Sequence, residues 1–283
     1  MSPFKDKVAI VTGAASGIGR ALCNELSLSG AILFMADINA DSLRQAVAEI
    51  NRSGGRAVAA PLDVTRAEEV QALVDQAIAA HGHLDYMFNN AGIGVAGEVR
   101  DLSLDHWRRI IDVNLWGVIY GASAAYRAMV KQGSGHIVNT ASLAGLIGSP
   151  AMTPYSTTKF AVLGLSTSLR AEGEGLGVKV SAVCPGLIQT GIFAAGIYVN
   201  TRQEDIEANV PFKMLTPDRA AHHILRGVAR NRAIIVFPFY ARFTWWLHRI
   251  NQSLTMPLAR KLIKDFRAIR TERRAKGSSS ANH

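Results

Sequence analysis

Cysteine is scarce in this chain of 283 residues, which contains only Cys23 and Cys184, far apart in the sequence. A small scaffold held by disulfides carries several closely spaced pairs, so this pattern favours buried free thiols in a reducing compartment. Long apolar runs are also missing, since no stretch reaches the roughly 18 apolar residues of a membrane-spanning helix. The first residues, MSPFKDKVAIVTG, lack the apolar stretch after a basic segment that marks a signal peptide. We therefore expect a cytoplasmic protein.

Acidic residues are scarce in only one part of the chain. Residues 219–283 contain 14 Lys and Arg against 2 Asp and Glu, whereas residues 1–218 contain 17 against 20. The net charge of +9 therefore comes from the C-terminal part, and the main body is close to neutral. A nucleic-acid enzyme would more typically spread basic residues over one face of its body. We expect no nucleic-acid partner.

Short apolar, β-branched segments alternate with amphipathic helical segments over most of the length. The strand segments are mostly continuous apolar runs, which is typical of strands covered by helices on both faces. Regular alternation of this kind predicts an α/β fold, a doubly wound domain with a parallel sheet. The seven predicted strands span 7–13, 31–37, 56–64, 84–92, 135–142, 178–186 and 232–238, and predicted helices include 17–29, 40–52, 66–81, 103–131 and 155–174.

Three glycines lie between the first predicted strand and the first predicted helix, in the segment VAIVTGAASGIGRAL. Gly13, Gly17 and Gly19 suit a backbone that turns sharply and approaches a pyrophosphate, with the helix N-terminus facing the negative charge. A lone glycine pattern is weak evidence, but here the strand and the helix agree with it. The pattern predicts a dinucleotide site, with Ser16 and Ile18 in the same turn.

An acidic residue, Asp37, closes the second predicted strand. Its carboxylate can accept hydrogen bonds from both adenosine ribose hydroxyls and would repel a 2′-phosphate. Ser16 and Ile38, the nearby positions best placed for a phosphate-binding cation, are uncharged, and Arg20 and Arg44 are poorer alternatives. The competing interpretation is that Asp37 caps the following helix. The sequence predicts NAD as the cofactor in preference to NADP.

Two further strand ends supply candidate cofactor contacts. Asp63 and Val64 end the third predicted strand and are predicted to contact the adenine edge. The segment NNAG ends the fourth strand, and its small residues suit the place where a ribose or the nicotinamide would lie. The residues of that segment predicted to bind the cofactor are Asn90, Ala91 and Gly92.

Ser142, Tyr155 and Lys159 form a candidate catalytic set. Tyr155 and Lys159 are four residues apart and share one face of a predicted helix. A neighbouring ammonium stabilises a phenolate, which would lower the tyrosine pKa from about 10 into a useful range. Ser142 follows a strand end, where its hydroxyl can bond a substrate oxygen as charge develops. The competing interpretation, an incidental Tyr-Lys pair on a surface helix, is disfavoured by the dinucleotide motif upstream.

At these residues the sequence resembles the short-chain dehydrogenase/reductase family. TGAASGIG matches the family motif T-G-x-x-x-G-x-G, and NNAG, PYSTTK and PGLIQT match three further motifs. The resemblance covers roughly residues 5–238. It implies a Rossmann-type fold and an oxidoreductase that transfers a hydride between a carbinol carbon and nicotinamide C4.

The resemblance also implies roles for individual residues. Tyr155 would be the acid-base residue, Ser142 would position the carbonyl, and Lys159 would lower the tyrosine pKa and bind the nicotinamide ribose. Asn114, in IIDVNLWG, matches the residue that kinks its helix and holds a water in a proton relay. No metal is expected, and the usual assembly through the helices of Asn114 and Tyr155 implies a homodimer or homotetramer. The residues that match the family's nicotinamide-end contacts are Pro185, Gly186, Ile188 and Thr190.

The segment at about 187–215 corresponds to the family's mobile substrate lid. Its apolar residues, and the absence of Arg or His between Ser142 and Tyr155, indicate a hydrophobic secondary alcohol or ketone as substrate. The competing interpretation is that these side chains are simply core. The predicted substrate contacts are Ser142, Leu143, Met152, Tyr155 and Phe193, and further apolar candidates are Ile93, Val95, Ile147, Ile197, Tyr198, Phe212 and Met214.

Three other functions remain open on the sequence. A nucleotide-sugar epimerase or dehydratase would carry T-G-x-x-G-x-x-G, whereas here three residues separate Gly13 from Gly17. An NADPH-dependent 3-oxoacyl-type reductase would need a basic patch for an acyl carrier near the site. A non-catalytic NAD-binding regulatory protein would be expected to have lost catalytic residues, and all four are intact.

An NAD-preferring site favours alcohol oxidation as the direction in the cell.

The segment FPFYARFTWWLHR marks the end of a catalytic domain predicted over 1–238. A basic helical extension is predicted over 239–276, followed by a disordered tail over 277–283. The amphipathic character of the extension over 239–276 fits a peripheral contact with the inner membrane surface. It fits equally a cap over the substrate mouth or a subunit contact, and amphipathic helices more often pack on protein. The two predicted apolar faces are Phe243, Leu247, Ile250 and Leu254, and Leu258, Leu262, Phe266 and Ile269.

Overall fold

A central parallel sheet organises the chain. The computed structural model describes residues 2–192, 196–209 and 213–270. The strands in these residues are β1 (Val8–Thr12), β2 (Ile32–Asp37), β3 (Arg56–Pro61), β4 (Tyr86–Asn89), β5 (Val95–Ala96), β6 (Gly135–Thr140), β7 (Val178–Pro185), β8 (Ile197–Tyr198) and β9 (Ile234–Phe237).

Seven of these strands form one sheet in the order β3-β2-β1-β4-β6-β7-β9, and every neighbouring pair is parallel. The predicted doubly wound fold is confirmed. The chain builds the sheet outward from β1 in one direction and then from β4 in the other. A crevice opens at the carboxyl ends of the strands at such a switch point. The short strands β5 and β8 form a separate parallel pair, which the sequence does not predict.

Helices connect the strands and cover both faces of the sheet. Those in the described residues are α1 (Gly17–Leu28), α2 (Ala40–Arg52), α3 (Ala67–His81), α4 (Leu104–Ile111), α5 (Gly117–Gln132), α6 (Thr153–Glu172), α7 (Gln203–Ala208), α8 (Pro217–Ala229), α9 (Phe239–Ile250) and α10 (Met256–Ile269).

The continuous apolar runs of the strands follow from this double cover. Successive side chains of a strand point to opposite faces of the sheet. Val11 packs with Leu22 of α1 on one face, whereas its neighbour Ile10 packs with Val74 of α3 on the other. All five residues of β1 are buried. Both faces therefore need apolar residues, and alternation with polar residues disappears.

The helix predicted over 103–131 is interrupted by a π-helical turn, Asp112–Trp116, between α4 and α5. Asn114 lies in this turn and is fully buried. Its side-chain oxygen accepts a hydrogen bond from the Ile93 N–H at 2.8 Å, and its side-chain nitrogen donates to the Ile93 carbonyl at 2.9 Å. The Asn114 side chain thus pairs with both backbone polar groups of Ile93, which lies in a distant loop. π-turns often mark functional positions.

The apolar face predicted for α9 is largely wrong. Phe243 and Ile250 are 48% and 60% exposed, and Leu254 lies beyond the helix in a 3-10 turn and is 51% exposed. The segment has apolar residues on several sides, so spacing alone cannot select the buried face. Polar contacts contribute to the choice, since His248 Nδ1 lies 2.8 Å from Thr255 Oγ1. The buried or partly buried residues of α9 are Tyr240, Ala241, Thr244, Trp245, Leu247 and His248.

The apolar face predicted for α10 does turn inward. Phe266 is buried, and Leu258, Leu262 and Ile269 are partly buried, while most of the basic residues around them are exposed. No helix within the described ranges has the length and apolarity needed to cross a bilayer.

Candidate active site

A cavity of about 1090 Å³ opens at the carboxyl ends of the central strands. Pockets for one drug-sized ligand usually measure about 300–1,000 Å³, so this space suits a cofactor and a substrate together. The predicted site residues that line it are Gly13, Ser16, Gly17, Ile18, Asp37, Asp63, Val64, Asn90, Ala91, Gly92, Ser142, Leu143, Met152, Tyr155, Lys159, Pro185, Gly186, Ile188 and Thr190.

Among the described residues, two predicted site residues, Gly19 and Asn114, do not line the cavity. Gly19 lies behind the glycine turn, where an added Cβ would come within 2.0 Å of the Gly13 carbonyl oxygen. Asn114 lies behind Gly92 and Ile93 and is fully buried. Phe193 lies outside the described residues, as does the apolar candidate Phe212.

The glycine turn brings backbone donors to the cavity. Gly13 has φ +65°, a left-handed conformation that glycine adopts without strain. The helix α1 begins at Gly17, and among the described residues its N-cap Ser16 makes no side-chain capping bond and its first turn has no acidic residue. The first N–H groups of a helix are unpaired within it and carry a partial positive charge. This donor set fits a pyrophosphate, and the close packing of Gly19 on Gly13 keeps the turn tight.

Asp37 stands beside this turn and does not cap α2. Its Oδ2 accepts from the Ala15 N–H and its Oδ1 from the Asn39 N–H, both at 2.9 Å. The α2 cap is Asn39, whose side chain accepts from the Ser42 N–H. A carboxylate has about four acceptor sites, so two bonds leave capacity for a diol. The capping interpretation from the sequence is therefore wrong.

Hydrogen bonds fix the predicted adenine side locally and join the glycine turn to the end of β4 over a long sequence distance. Asp63 Oδ1 accepts from the Thr65 N–H at 2.9 Å and from its hydroxyl at 2.8 Å. The Asn90 side chain donates to the Thr12 carbonyl at 3.1 Å, and the N–H groups of Asn90 and Ala91 donate to Thr12 Oγ1. Thr12, which the sequence analysis passed over, thus joins the ends of β1 and β4. The wall of the dinucleotide cleft is held before any ligand binds.

Ser142, Tyr155 and Lys159 meet at the centre of the cavity. Ser142 follows β6, while Tyr155 and Lys159 lie on the first turns of α6, which packs against the Ser142 segment. Ser142 and Tyr155 share a hydrogen bond between their side chains. Lys159 is 2% exposed, its Nζ lies 5.5 Å from the Tyr155 ring centroid, and it donates to the Thr140 carbonyl at 2.8 Å.

Burial affects the protonation of both Tyr155 and Lys159. Burial raises the pKa of Tyr155, the hydrogen bond with Ser142 lowers it, and Cys184 raises it further. Burial also lowers the pKa of Lys159 to about 8, against a smaller opposing effect of Cys184. Burial is the largest of these effects on Tyr155, because the phenolate is disfavoured away from water, and the effect of Lys159 on the tyrosine pKa stays a prediction.

Asn114 reaches the catalytic set through the loop after β4. An added Cβ at Gly92 would lie 3.2 Å from Asn114 Oδ1 and 3.6 Å from Lys159 Nζ, so this glycine allows the two side chains to approach. The π-turn then holds Asn114 beneath Ile93, a cavity-lining residue. Sequence spacing alone places Asn114 within a helix, and only the family motif singles it out.

The substrate side of the cavity is predominantly apolar. Tyr155 packs in a cluster with residues from the loop after β4, from the segment before α6 and from the lid. Charged residues occur on the rim contributed by α4 and the turn after it, where both signs are present: Asp105, Arg108, Arg109 and Asp112. The predicted apolar candidates that line the cavity are Ile93, Val95, Leu143, Ile147, Met152 and Tyr198, whereas Ile197 and Met214 do not line it.

The C-terminal helices supply a wall that the sequence motifs do not reveal. Tyr240 of α9 lines the cavity and accepts a hydrogen bond from the Leu187 N–H through its hydroxyl at 2.6 Å. Leu187 lies between two predicted nicotinamide contacts, Gly186 and Ile188. The further cavity-lining residues of this part of the chain are Thr244, Thr255, Leu258, Ala259, Leu262, Asp265, Phe266 and Ile269.

Proteins of known sequence resemble this chain over most of its length. Residues 7–196 match the short chain dehydrogenase family. Over 258 residues the chain is 37% identical to SadH of Mycobacterium tuberculosis, which is named as an oxidoreductase, and the match covers 89% of this chain and 94% of that protein.

Solved structures also resemble this chain in fold. A short chain dehydrogenase/reductase from Burkholderia phymatum in complex with NAD superposes with a TM-score of 0.83 at 31% identity, covering 90% of this chain and 97% of that one. The apo form of LigD from Sphingobium sp. strain SYK-6 gives a TM-score of 0.76 at 30% identity, covering 89% and 97%. The chain is an oxidoreductase and belongs to the short-chain dehydrogenase/reductase family.

Proposed function

We propose that this protein is an NAD-dependent alcohol dehydrogenase or ketoreductase that acts on hydrophobic secondary alcohols and the corresponding ketones. The observation that carries the proposal is the Ser142–Tyr155–Lys159 set at the centre of a cavity with a dinucleotide-type glycine turn on one side and an apolar wall on the other. Besides the predicted cofactor and catalytic residues, the charged residues that line the cavity lie on α4 and the turn after it, with Asp265 on α10.

The preference for NAD rests on Asp37. Both of its oxygens are fixed by backbone N–H groups at the end of β2, next to the glycine turn. A fixed carboxylate favours a ribose diol and disfavours a 2′-phosphate. The Burkholderia relative in complex with NAD agrees with this preference.

Cofactor preference can be measured directly. We expect wild type to have a higher kcat/KM for NAD⁺ than for NADP⁺, and Asp37→Ala to reduce that ratio at least tenfold, since about 1.4 kcal/mol corresponds to a factor of ten. Asp41→Ala is the matched control, because Asp41 is exposed at the start of α2. Equal or better use of NADP⁺ by wild type would exclude the preference and favour the 3-oxoacyl-type reductase.

Tyr155 is the proposed acid-base residue. When NAD is bound, its nicotinamide accepts the hydride from the carbinol carbon. Tyr155 takes the hydroxyl proton as a phenolate in oxidation and returns it as a phenol in reduction. Its bond with Ser142 stabilises the phenolate and places a second hydroxyl at the substrate oxygen.

Lys159 and Asn114 hold this arrangement. Lys159 is fixed by the Thr140 carbonyl, and with a pKa of about 8 it is still largely an ammonium at neutral pH. Its position between Thr140 and Gly92 suits a ribose hydroxyl of the cofactor. Asn114 fixes the Ile93 backbone and thereby the floor of the cavity.

A homo-oligomer is part of the proposal. Apolar side chains are exposed on the helices that follow β5 and β6: Leu104 is 71%, Trp116 45% and Phe160 43% exposed. Trp116 stacks on Tyr120 at 5.6 Å between ring centroids, which forms a rigid aromatic surface on α5. Surfaces of this kind commonly mark protein contacts.

The function is tested by screening hydrophobic secondary alcohols with NAD⁺ and following nicotinamide absorbance. We expect saturable oxidation of at least one aliphatic, aryl or polycyclic alcohol. Loss of all turnover with cofactor binding retained would instead support a non-catalytic NAD-binding protein.

A further inference from the structure

The apolar face of α10 is part of the cavity wall. Leu258, Leu262, Phe266 and Ile269 all line the cavity that contains Tyr155. An amphipathic helix at the end of a chain gains stability by packing this face on protein. Here the face covers the substrate side, so a bound substrate would replace water against it.

Phe266 is the anchor of this wall. It is 7% exposed and packs in a cluster with Ala96 of β5, Ala151 before α6 and Tyr198 of β8. These partners come from three separate segments around the substrate side. The buried phenyl ring thus joins these segments within the cavity wall.

A buried ionic cluster fixes the end of α10 to the loop after β5. Glu98 accepts hydrogen bonds from Arg100, from Arg267 at 2.7 Å and from Arg270 at 2.7 Å. Arg270 also donates to Asp101 at 3.1 Å. The Glu98 and Arg270 side chains are each only 8% exposed.

The cluster also fixes the charge of the wall. Burial raises the pKa of Glu98, but the hydrogen bonds from the arginines outweigh this effect and lower its pKa to about 2. Glu98 therefore stays ionised near neutral pH. Arg267 and Arg270 are engaged by Glu98 and Asp101. Asp265, the charged residue of α10 that lines the cavity, is paired with Lys261, so the face toward the substrate is mainly apolar.

We propose that α10 forms the far wall of the substrate pocket, selects elongated, uncharged apolar alcohols, and sets their preferred length through Phe266. This inference rests on the proposed function, because it names the substrate class of the same site. Glu98 acts as a positioning residue that holds the wall in place.

The length dependence follows from burial. Each methylene removed from water contributes about 0.8 kcal/mol, or about fourfold in kcat/KM. Along the series from 2-butanol to 2-dodecanol, kcat/KM should rise by about this factor per carbon and then stop rising once the chain reaches Phe266.

The decisive variant is Phe266→Ala, assayed with the 2-alkanol series and NAD⁺. We expect kcat/KM to keep rising to longer alcohols than in wild type, while kcat/KM for 2-butanol stays unchanged within twofold. Phe243→Ala is the matched control, since Phe243 is 48% exposed on α9 and does not line the cavity. An unchanged length profile in Phe266→Ala would overturn the inference.

Charge selection is tested with ω-carboxylated 2-alkanols of matched length. We expect kcat/KM at least tenfold below that of the uncharged alcohol. Preference for the carboxylate would show that a cation such as Arg109 on the rim, and not the apolar wall, recognises the far end of the substrate.

The positioning role is tested with Glu98→Gln and, because Glu98 is buried, with the milder Arg267→Gln, whose side chain is 53% exposed. In both we expect KM for 2-decanol to rise at least threefold, while kcat for 2-butanol and KM for NAD⁺ stay unchanged. A purely structural role would lower kcat for short and long alcohols alike, and that outcome would remove Glu98 from the inference.

Failure of the proposed function is distinguishable from failure of the inference. If no alcohol is oxidised by any variant, the neutral fluorophore 1-aminoanthracene replaces the substrate in binding titrations. Phe266→Asp should abolish binding, whereas Phe243→Asp should retain it. Equal binding by both variants, or no binding by wild type, would refute the apolar α10 wall independently of catalysis.

Discussion

The chemistry of Tyr155 is controlled at the level of single residues by burial and one hydroxyl. Burial raises its pKa, and the bond with Ser142 counteracts this increase. Because the phenolate is the active form in oxidation, kcat/KM should increase as pH rises through the pKa of Tyr155. The structure thus assigns Ser142 an effect on proton affinity besides its position near the substrate oxygen.

Ser142→Ala should shift the pH profile of oxidation to higher pH, because the substitution removes the interaction that lowers the pKa of Tyr155. We also expect kcat to fall by about 10²–10³, the usual effect of losing one oxyanion-type donor. The measurement is kcat/KM against pH with one alcohol. If kcat/KM of the variant rises at the same pH as that of wild type, or at a lower pH, the role assigned to Ser142 is contradicted.

His136 is a second buried titratable residue, but it bears on stability. Burial lowers its pKa to about 3, with smaller contributions in the same direction from Lys179 and Arg170. Its Nε2 lies 2.8 Å from Ser181 Oγ between β6 and β7. The unfolded chain has the ordinary histidine pKa of about 6.5 and therefore binds more protons than the folded protein between pH 6.5 and 3.

Stability should therefore fall as pH decreases below about 6.5. This one group contributes a slope of at most about 1.4 kcal/mol per pH unit. In His136→Gln the slope between about pH 6 and 4 should be smaller by up to that amount, measured by urea denaturation. The exposed His222→Gln should retain the wild-type slope, and an identical slope in His136→Gln would contradict the prediction.

At the level of elements, α9 connects the C-terminal part to the cofactor cleft. The Tyr240 hydroxyl accepts from the Leu187 N–H in the segment after β7. Burial raises the pKa of Tyr240, and the bond with Leu187 lowers it. The hydroxyl therefore stays protonated near neutral pH and remains the acceptor for the Leu187 N–H, beside the predicted nicotinamide contacts.

Tyr240→Phe leaves the Leu187 N–H without this acceptor. We expect a loss of about 1–3 kcal/mol in the free energy of unfolding. NADH should bind several-fold more weakly, whereas ADP-ribose, which lacks nicotinamide, should bind as in wild type. Tyr120→Phe on α5 provides the control, and equal weakening for both ligands would assign Tyr240 a merely structural role.

The sequence predicts those elements whose burial follows from the pattern of apolar and charged residues within the element itself. Strands such as β1, β2 and β7 are predictable because both faces are buried, and the inward face of α10 is predictable because its opposite face is strongly basic. The π-turn at 112–116 does not follow from local spacing, since it depends on the pairing of Asn114 with the distant Ile93 backbone, and only the family motif implies a kink at Asn114. The two-residue strands β5 and β8 are too short to leave a pattern.

The residues of the site also divide into those that the sequence predicts and those that it does not. The glycine turn, Asp37 and the Tyr-Lys spacing carry their chemistry in the sequence, and the structure brings them to one cavity. The roles of Thr12 and Tyr240 depend on contacts across 78 and 53 positions, which spacing cannot reveal. The pKa direction of Tyr155 was also beyond prediction, because it depends on how deeply the phenol is buried.

At the scale of the whole molecule, the exposed apolar surface of α4, α5 and α6 predicts self-association. Phe160→Glu combined with Trp116→Glu should lower the mass measured by light scattering from an oligomer toward a monomer, because like charges would face each other across a symmetric contact. Leu28→Glu is the control, since Leu28 is 88% exposed on α1. A monomeric wild type would contradict the prediction.

The central claim is that one phenol, held between Ser142 and Lys159, carries the proton in an NAD-dependent oxidation of an apolar alcohol. Tyr155→Phe removes only the hydroxyl and leaves the packing of the ring. The decisive measurement is kcat of this variant with NAD⁺ and the best alcohol from the screen, alongside its Kd for NADH. We predict a fall of at least 10³ in kcat with the Kd unchanged within threefold. A rate equal to that of wild type would contradict the mechanism.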